Sequence, residues 1–194
     1  AGMAMLTQCY SVRGLEAIAA INISNTINNV LNVVFIAMGD AVAILVGQLL
    51  GAGEMEKARD TDNKIIAFAV MSGFVVAVCL VGMSFFFPQL YNTGEHVRQL
   101  ATRFILVQAL FTPQVALLHT TYFTMRSGGK TIVTFLFDSV FLWVFSVPVA
   151  FLCSHFTGMN VLWVFAVVNM VDWIKCIVGV VLVKRGVWMQ TITV

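Results

Sequence analysis

From Glu16 to Gly53 the chain is largely apolar and free of proline, yet Asn22, Asn25, Asn29, Asn32 and Asp40 recur along it. At a helical step of about 100° per residue, these polar residues fall with Gly47 and Gly51 within an arc of roughly 100°. Ile23, Ile27, Val34, Val42 and Leu45 mostly point elsewhere. The pattern predicts a long helix with one polar, small-residue face. Lipid tails cannot hydrogen-bond an amide, so that face is expected to meet protein or water.

The same reading predicts further apolar helices at 61–87, 97–124, 131–155 and 161–183, after the striped one at 15–50 and a short segment at 1–10. Each full segment exceeds the roughly 20 residues needed to cross a bilayer. Breaker or polar residues separate them: Ser11 to Gly14, Gly51 to Lys64, Pro88 to Glu95, Arg126 to Lys130, and Phe156 to Asn160. Short alternating strands, the mark of a barrel, are absent from the pattern. The expected fold is an all-α membrane protein, a six-helix transmembrane bundle whose first helix is truncated. Ten helical residues rise only about 15 Å, half the hydrocarbon thickness. The chain begins at Ala1 inside that helix, so an upstream partner region is expected. Pro113 and Pro148 lie inside spans, where each removes one helix hydrogen bond and encourages a kink.

Composition agrees with this reading. The chain is 60% hydrophobic and 10% charged, with a mean hydropathy of +0.94, whereas a soluble domain has about 25% charged residues. A net charge of +2 without a basic run implies no nucleic-acid partner. Cys9, Cys79, Cys153 and Cys176 are far apart in apolar surroundings and read as packing residues. Lys57, Arg59, Lys64, Arg126, Lys130, Lys184 and Arg185 share one predicted side, against Arg13, Arg98 and Arg103 on the other. The asymmetry places the carboxyl terminus in the cytoplasm of a multi-pass protein.

Three acids lie inside apolar segments: Asp40, Asp138 and Asp172, the last with Lys175 one turn on. An intramembrane charge costs roughly 3 kcal/mol on insertion scales, so each needs a partner or water. Counted from the basic ends, Asp40, Asp138 and Lys175 all lie roughly 12 to 15 Å deep. Pairing of Asp138 with Lys175 is therefore expected, the alternative being Asp172 with Lys175 as an i,i+3 pair. The asparagine stripe admits two readings as well. It either lines a water-filled vestibule or makes interhelical hydrogen bonds of about 0.6 to 2 kcal/mol each. A second polar tract, Gln108, Gln114, His119, Thr120, Thr121 and Tyr122, surrounds Pro113. His119 is either a proton relay or a hydrogen-bonded packing residue. No nucleophile-and-base constellation, zinc motif or nucleotide loop is present, so enzymatic activity is not expected.

Three local sequences resemble one family. The run Val46 to Glu54 with Lys57-Ala58, the run Tyr122 to Lys130, and the closing Val183 to Trp188 are similar, in that order and spacing, to multidrug and toxin extrusion (MATE) transporters. The resemblance implies twelve helices in two six-helix lobes, of which this chain is the carboxyl-terminal one. It also implies export of drugs or other organic cations across the plasma membrane in exchange for sodium or protons, without a cofactor. The implied partners are the missing amino-terminal lobe, a small organic substrate and the lipid bilayer. The implied substrate and ion pathway comprises Asn22, Asn25, Asn29, Asn32, Asp40, Gln114, His119 and Tyr122, with Asp138, Asp172 and Lys175 as an intramembrane structural group. Where some sodium-coupled members carry an acid on the fourth helix, this chain has Gln114 and Val115. Asp40 is then the leading coupling residue. A lipid-linked sugar flippase of the same superfamily and a non-transporting structural subunit are the alternatives. Scarcity of buried arginine disfavours a phosphorylated lipid.

Overall fold

A computed structural model describes residues 2–12, 14–129 and 131–189. Arg13 and Lys130, counted above in the charge asymmetry, lie outside the described residues. The described chain is helical: α1 (Gly2–Ser11), α2 (Leu15–Gly51), α3 (Met55–Ser84), α4 (Glu95–Ser127), α5 (Thr131–Phe135), α6 (Val147–Phe156) and α7 (Val161–Lys184), with a 3-10 turn at Phe87–Leu90. Among the described residues, five helical stretches are long and apolar enough to cross a membrane: Leu15–Gly51, Met55–Ser84, Glu95–Ser127, Ile132–Phe156 and Val161–Lys184. The protein is a multi-pass membrane bundle.

Helices α3 and α4 extend past the apolar stretches that announce them. Glu56, Lys57, Arg59 and Asp60 continue α3 outward, since straight-chain charged residues lose little on entering a helix. The fifth span departs from the expectation of a plain helix. Two π-helical turns, Leu136–Val140 and Leu142–Ser146, interrupt it. That segment is crowded with aromatic and β-branched residues, and Pro148 withdraws the N–H that would bond the Val144 carbonyl. Pro113, by contrast, lies within α4, which runs continuously from Glu95 to Ser127.

Helix α4 is the centre of the bundle. Of its most apolar window 56% is buried, against at most 28% in any other span, and it packs on α2, α3 and α7. Small residues allow the closest approaches. A Cβ added at Gly73 of α3 would stand 2.9 Å from Pro113 Cα, so the two helices meet almost backbone to backbone. At Gly39 of α2, a Cβ would overlap the Phe123 ring, so the glycine makes room for it.

Two clusters define the ends. At one, Leu50, Ala58, Met125, Val183 and Trp188 pack together, which gathers the ends of α2, α4 and α7 with the start of α3. Gly53, Gly129 and Gly186 each follow one of those helices with φ near +70° (76°, 74° and 68°), left-handed turns that only glycine adopts cheaply. At the other end, Tyr10, Ala17, Val97, Phe104 and Phe165 form the core, with Phe104 and Phe165 edge to face at 5.2 Å. The first is called the basic end below, because Lys57, Arg59, Arg126, Lys184 and Arg185 cluster there in the sequence.

Candidate functional site

The polar stripe of α2 divides. Its helix buries Ala17, Ala20, Ile21, Ser24, Phe35, Gly39, Val42 and Val46, and the stripe runs along the edge of that face. Asn25 and Asn32 are consequently half-buried, whereas Asn22, Asn29 and Asp40 are exposed on the surface of the bundle. The lobe alone gathers only part of the stripe.

Of the half-buried pair, Asn25 meets a cavity of about 280 Å³ lined by α1, α2, α4 and α7. Gln108 Nε2 donates to Asn25 Oδ1 at 3.1 Å, linking α4 to α2. Gln108 itself is 7% exposed, and its Oε1 is buried without a partner among the described residues. Thr7, Tyr10, Asn28, Thr112, Asn169 and Asp172 complete the polar lining. Neutral amide and hydroxyl oxygens around one carboxylate form a donor set suited to a hard monovalent cation or a proton.

Gln114 lies beside this cavity as a clamp. Its Nε2 donates to the Asn169 carbonyl at 3.1 Å, tying α4 to α7, and Cys176 Sγ donates back to the Gln114 carbonyl at 3.6 Å. An ionised acid at this position could not make the first of these bonds, because a carboxylate only accepts.

A second cavity of about 340 Å³ opens toward the basic end, between α2, α4, the fifth span and α7. Here Lys175 Nζ donates to Asp138 Oδ1 at 2.9 Å. The pair is asymmetric, with the Lys175 side chain 9% exposed and the Asp138 side chain 65% exposed. Asp138 lies in the first π turn, whose wider i→i+5 winding shifts the azimuth of the residues beyond it. His119, Tyr122 and Phe123 line the same cavity. His119 Nδ1 lies 3.0 Å from the Val115 carbonyl; with the proton assigned to Nδ1, Nε2 is left as an acceptor. Asp172 belongs to the first cavity and Lys175 to the second, one turn apart on α7.

Several site residues carried too weak a signal alone. Asn28 and Asn169 are single amides in apolar runs, although Asn169 shares a helix face with Asp172. Asp62 hid among the charges that open α3. It is 1% exposed, accepts from Thr124 Oγ1 at 2.6 Å, and keeps a buried Oδ2 without a partner among the described residues. The clue was its periodicity, since Ala58, Asp62, Ala69, Gly73 and Val76 form one buried stripe.

A helical membrane bundle with two polar cavities and an intramembrane ion pair defines a class, and sequence comparison supplies the family. The profile of the MatE family matches residues 1–176, and the chain belongs to that family. It is 24% identical over 149 residues to a protein of Bacillus subtilis (strain 168) described as probable multidrug resistance protein YoeA, covering 77% of this chain and 32% of the relative. It is also 24% identical over 157 residues to probable multidrug resistance protein NorM of Halalkalibacterium halodurans, covering 81% of this chain and 34% of that protein. The chain thus spans about a third of the length of these relatives.

Proposed function

We propose that this chain is one lobe of a secondary active antiporter that exports organic cations, drugs among them, across the plasma membrane in exchange for a sodium ion or a proton. A partner lobe would close the transport path against the exposed face of α2, with the basic end in the cytoplasm. One observation carries the reading: a carboxylate, Asp138, stands largely exposed in a cavity rimmed by His119, Tyr122 and Phe123, while its lysine partner is buried. That arrangement offers an organic cation both charge and aromatic faces. The names of the two relatives support the multidrug reading.

The coupling cation is assigned to Asp172 rather than Asp40. Asp172 is half-buried and shares a cavity lining with amide side chains from two helices, whereas Asp40 is exposed on the bundle surface. Antiport requires a site whose affinity differs between states, and an acid between several helices changes surroundings most when they move. The test uses the two-lobe protein in proteoliposomes, with ethidium as the exported cation. Asp138→Asn is expected to lower efflux at least tenfold at normal expression, and wild-type efflux by this variant would refute the substrate site. Asp172→Asn is expected to uncouple efflux from the sodium or pH gradient. Loss of coupling in Asp40→Asn alone would return that role to Asp40.

A further inference from the structure

Lys175 stands between two acids that line different cavities. Its ammonium bonds Asp138 in the cavity near the basic end. Asp172, which lines the other cavity, precedes it by three residues on α7, a spacing that puts two side chains on one helix face within mutual reach. Asp172 interacts electrostatically with both Lys175 and Asp138. The group therefore holds two carboxylates and one ammonium, an excess of one negative charge around a buried lysine whose partner Asp138 is open on one side.

We propose that Lys175 is a shared counter-ion that pairs with Asp138 or with Asp172, one at a time, and so makes cation binding at the two cavities mutually exclusive. Charge balance is the reason. The group is neutral when it holds one monovalent cation from outside, and around a buried ammonium that state is favoured over none or two. In the geometry described, Lys175 satisfies Asp138 and leaves Asp172 to hold the external cation. When an organic cation approaches Asp138 through its exposed side, it displaces the ammonium. Lys175 then swings one turn back along α7 to Asp172 and expels the small cation held there. A cation returning to Asp172 reverses the sequence.

The two helices suit the exchange. Lysine has a long flexible stem with rotatable donors, so the swing needs side-chain torsions and no movement of α7. Asp138 rides on a π turn, a segment that can rewind toward α-helical geometry and carry the carboxylate away once the lysine has left. The buried Oε1 of Gln108, without a partner among the described residues, marks the Asp172 cavity as built to receive a ligand atom. The exchange rests on the transport reading above only for the identity of the two cations.

Thermal stability separates the lysine exchange from the transport reading. In the purified two-lobe protein it is compared for Asp138→Asn, Asp172→Asn, the double variant, and the double variant combined with Lys175→Met. Each single variant is expected to lose only a few degrees, because the lysine moves to the remaining acid. The double variant removes both carboxylates from a buried ammonium and is expected to lose far more than the sum, and Lys175→Met is expected to restore it. An additive double variant, or an Asp138→Asn protein already as unstable as the double, would overturn the exchange.

Binding of tetraphenylphosphonium tests mutual exclusion. Its affinity in the wild type is expected to fall about tenfold with rising sodium at fixed pH, or with falling pH in the absence of sodium; the responsive arm identifies the small cation. The other titratable groups in the pH arm are Tyr10 on α1, His119 and Tyr122 on α4, Asp138 on the fifth span and Cys176 on α7. Asp172→Asn, which leaves Lys175 only Asp138 to pair with, should weaken probe binding at least tenfold and remove the dependence, and wild-type affinity or retention of the dependence would refute the exclusion. Wild-type protein that fails to bind the probe would refute the substrate reading, while the stability series decides the lysine exchange.

Discussion

Asp62 shows how far a single buried group can depend on its neighbour. Its carboxyl is enclosed between α3 and α4, and the Thr124 hydroxyl is its hydrogen-bond donor. Removing that donor while keeping the shape strands a buried polar group, which costs about 1–3 kcal/mol. Thr124→Val is accordingly expected to lower the melting temperature of the detergent-solubilised protein, and Thr124→Ser to restore it. Equal stability of the valine variant would show that Asp62 draws no support from Thr124. At this scale the sequence was legible where a charge broke an apolar run, as at Asp138, Asp172 and Lys175. It was silent where a charge lay among other charges, as at Asp62, because periodicity alone does not say which of several acids at a helix start turns inward.

Helices were the most legible level. A bilayer supplies no water to satisfy backbone groups, so long apolar runs become helices whatever their neighbours do. The breaks after α2 and α4 were equally readable, since Gly53 and Gly129 sit where a left-handed residue is needed; the same turn at Gly186 came from the structure. The π turns of the fifth span were not readable, because they compromise between crowded aromatic packing and the N–H missing at Pro148. The contact of α3 with α4 rests on Gly73 lying against Pro113. Gly73→Val would force the helices apart, at about 1–3 kcal/mol for an overpacked contact. Lower melting temperature and faster proteolysis between α3 and α4 are the expected readouts, and an unchanged protein would refute so tight an approach.

Across the whole molecule, the division of the asparagine stripe makes a prediction that neither residue nor helix could make. If the exposed face of α2 borders a water-filled path in the two-lobe protein, Asn29→Cys should react quickly with a membrane-impermeant thiol reagent. Asn25→Cys, half-buried and bonded to Gln108, should react more slowly. The comparison is made with Cys79 replaced, since that thiol is exposed. Equal, slow labelling of both positions would mean that the face is packed against protein and not wet.

The residues alone established the membrane class, the succession of long apolar helices, the glycine-bearing breaks after α2 and α4 and the presence of intramembrane charges that needed partners. Each of these follows from local physics: hydrogen bonds that lipid cannot replace, and backbone angles that only glycine adopts cheaply. The choice of partners came from packing in three dimensions. Lys175 is within helical reach of Asp172, and it was the placement of the fifth span against α7 that gave it Asp138. Likewise, α4 at the centre drew Asn25 inward toward Gln108 and left Asn29 and Asp40 outside. Spacing along a helix names the residues that share a face, and the neighbouring helix decides what that face touches.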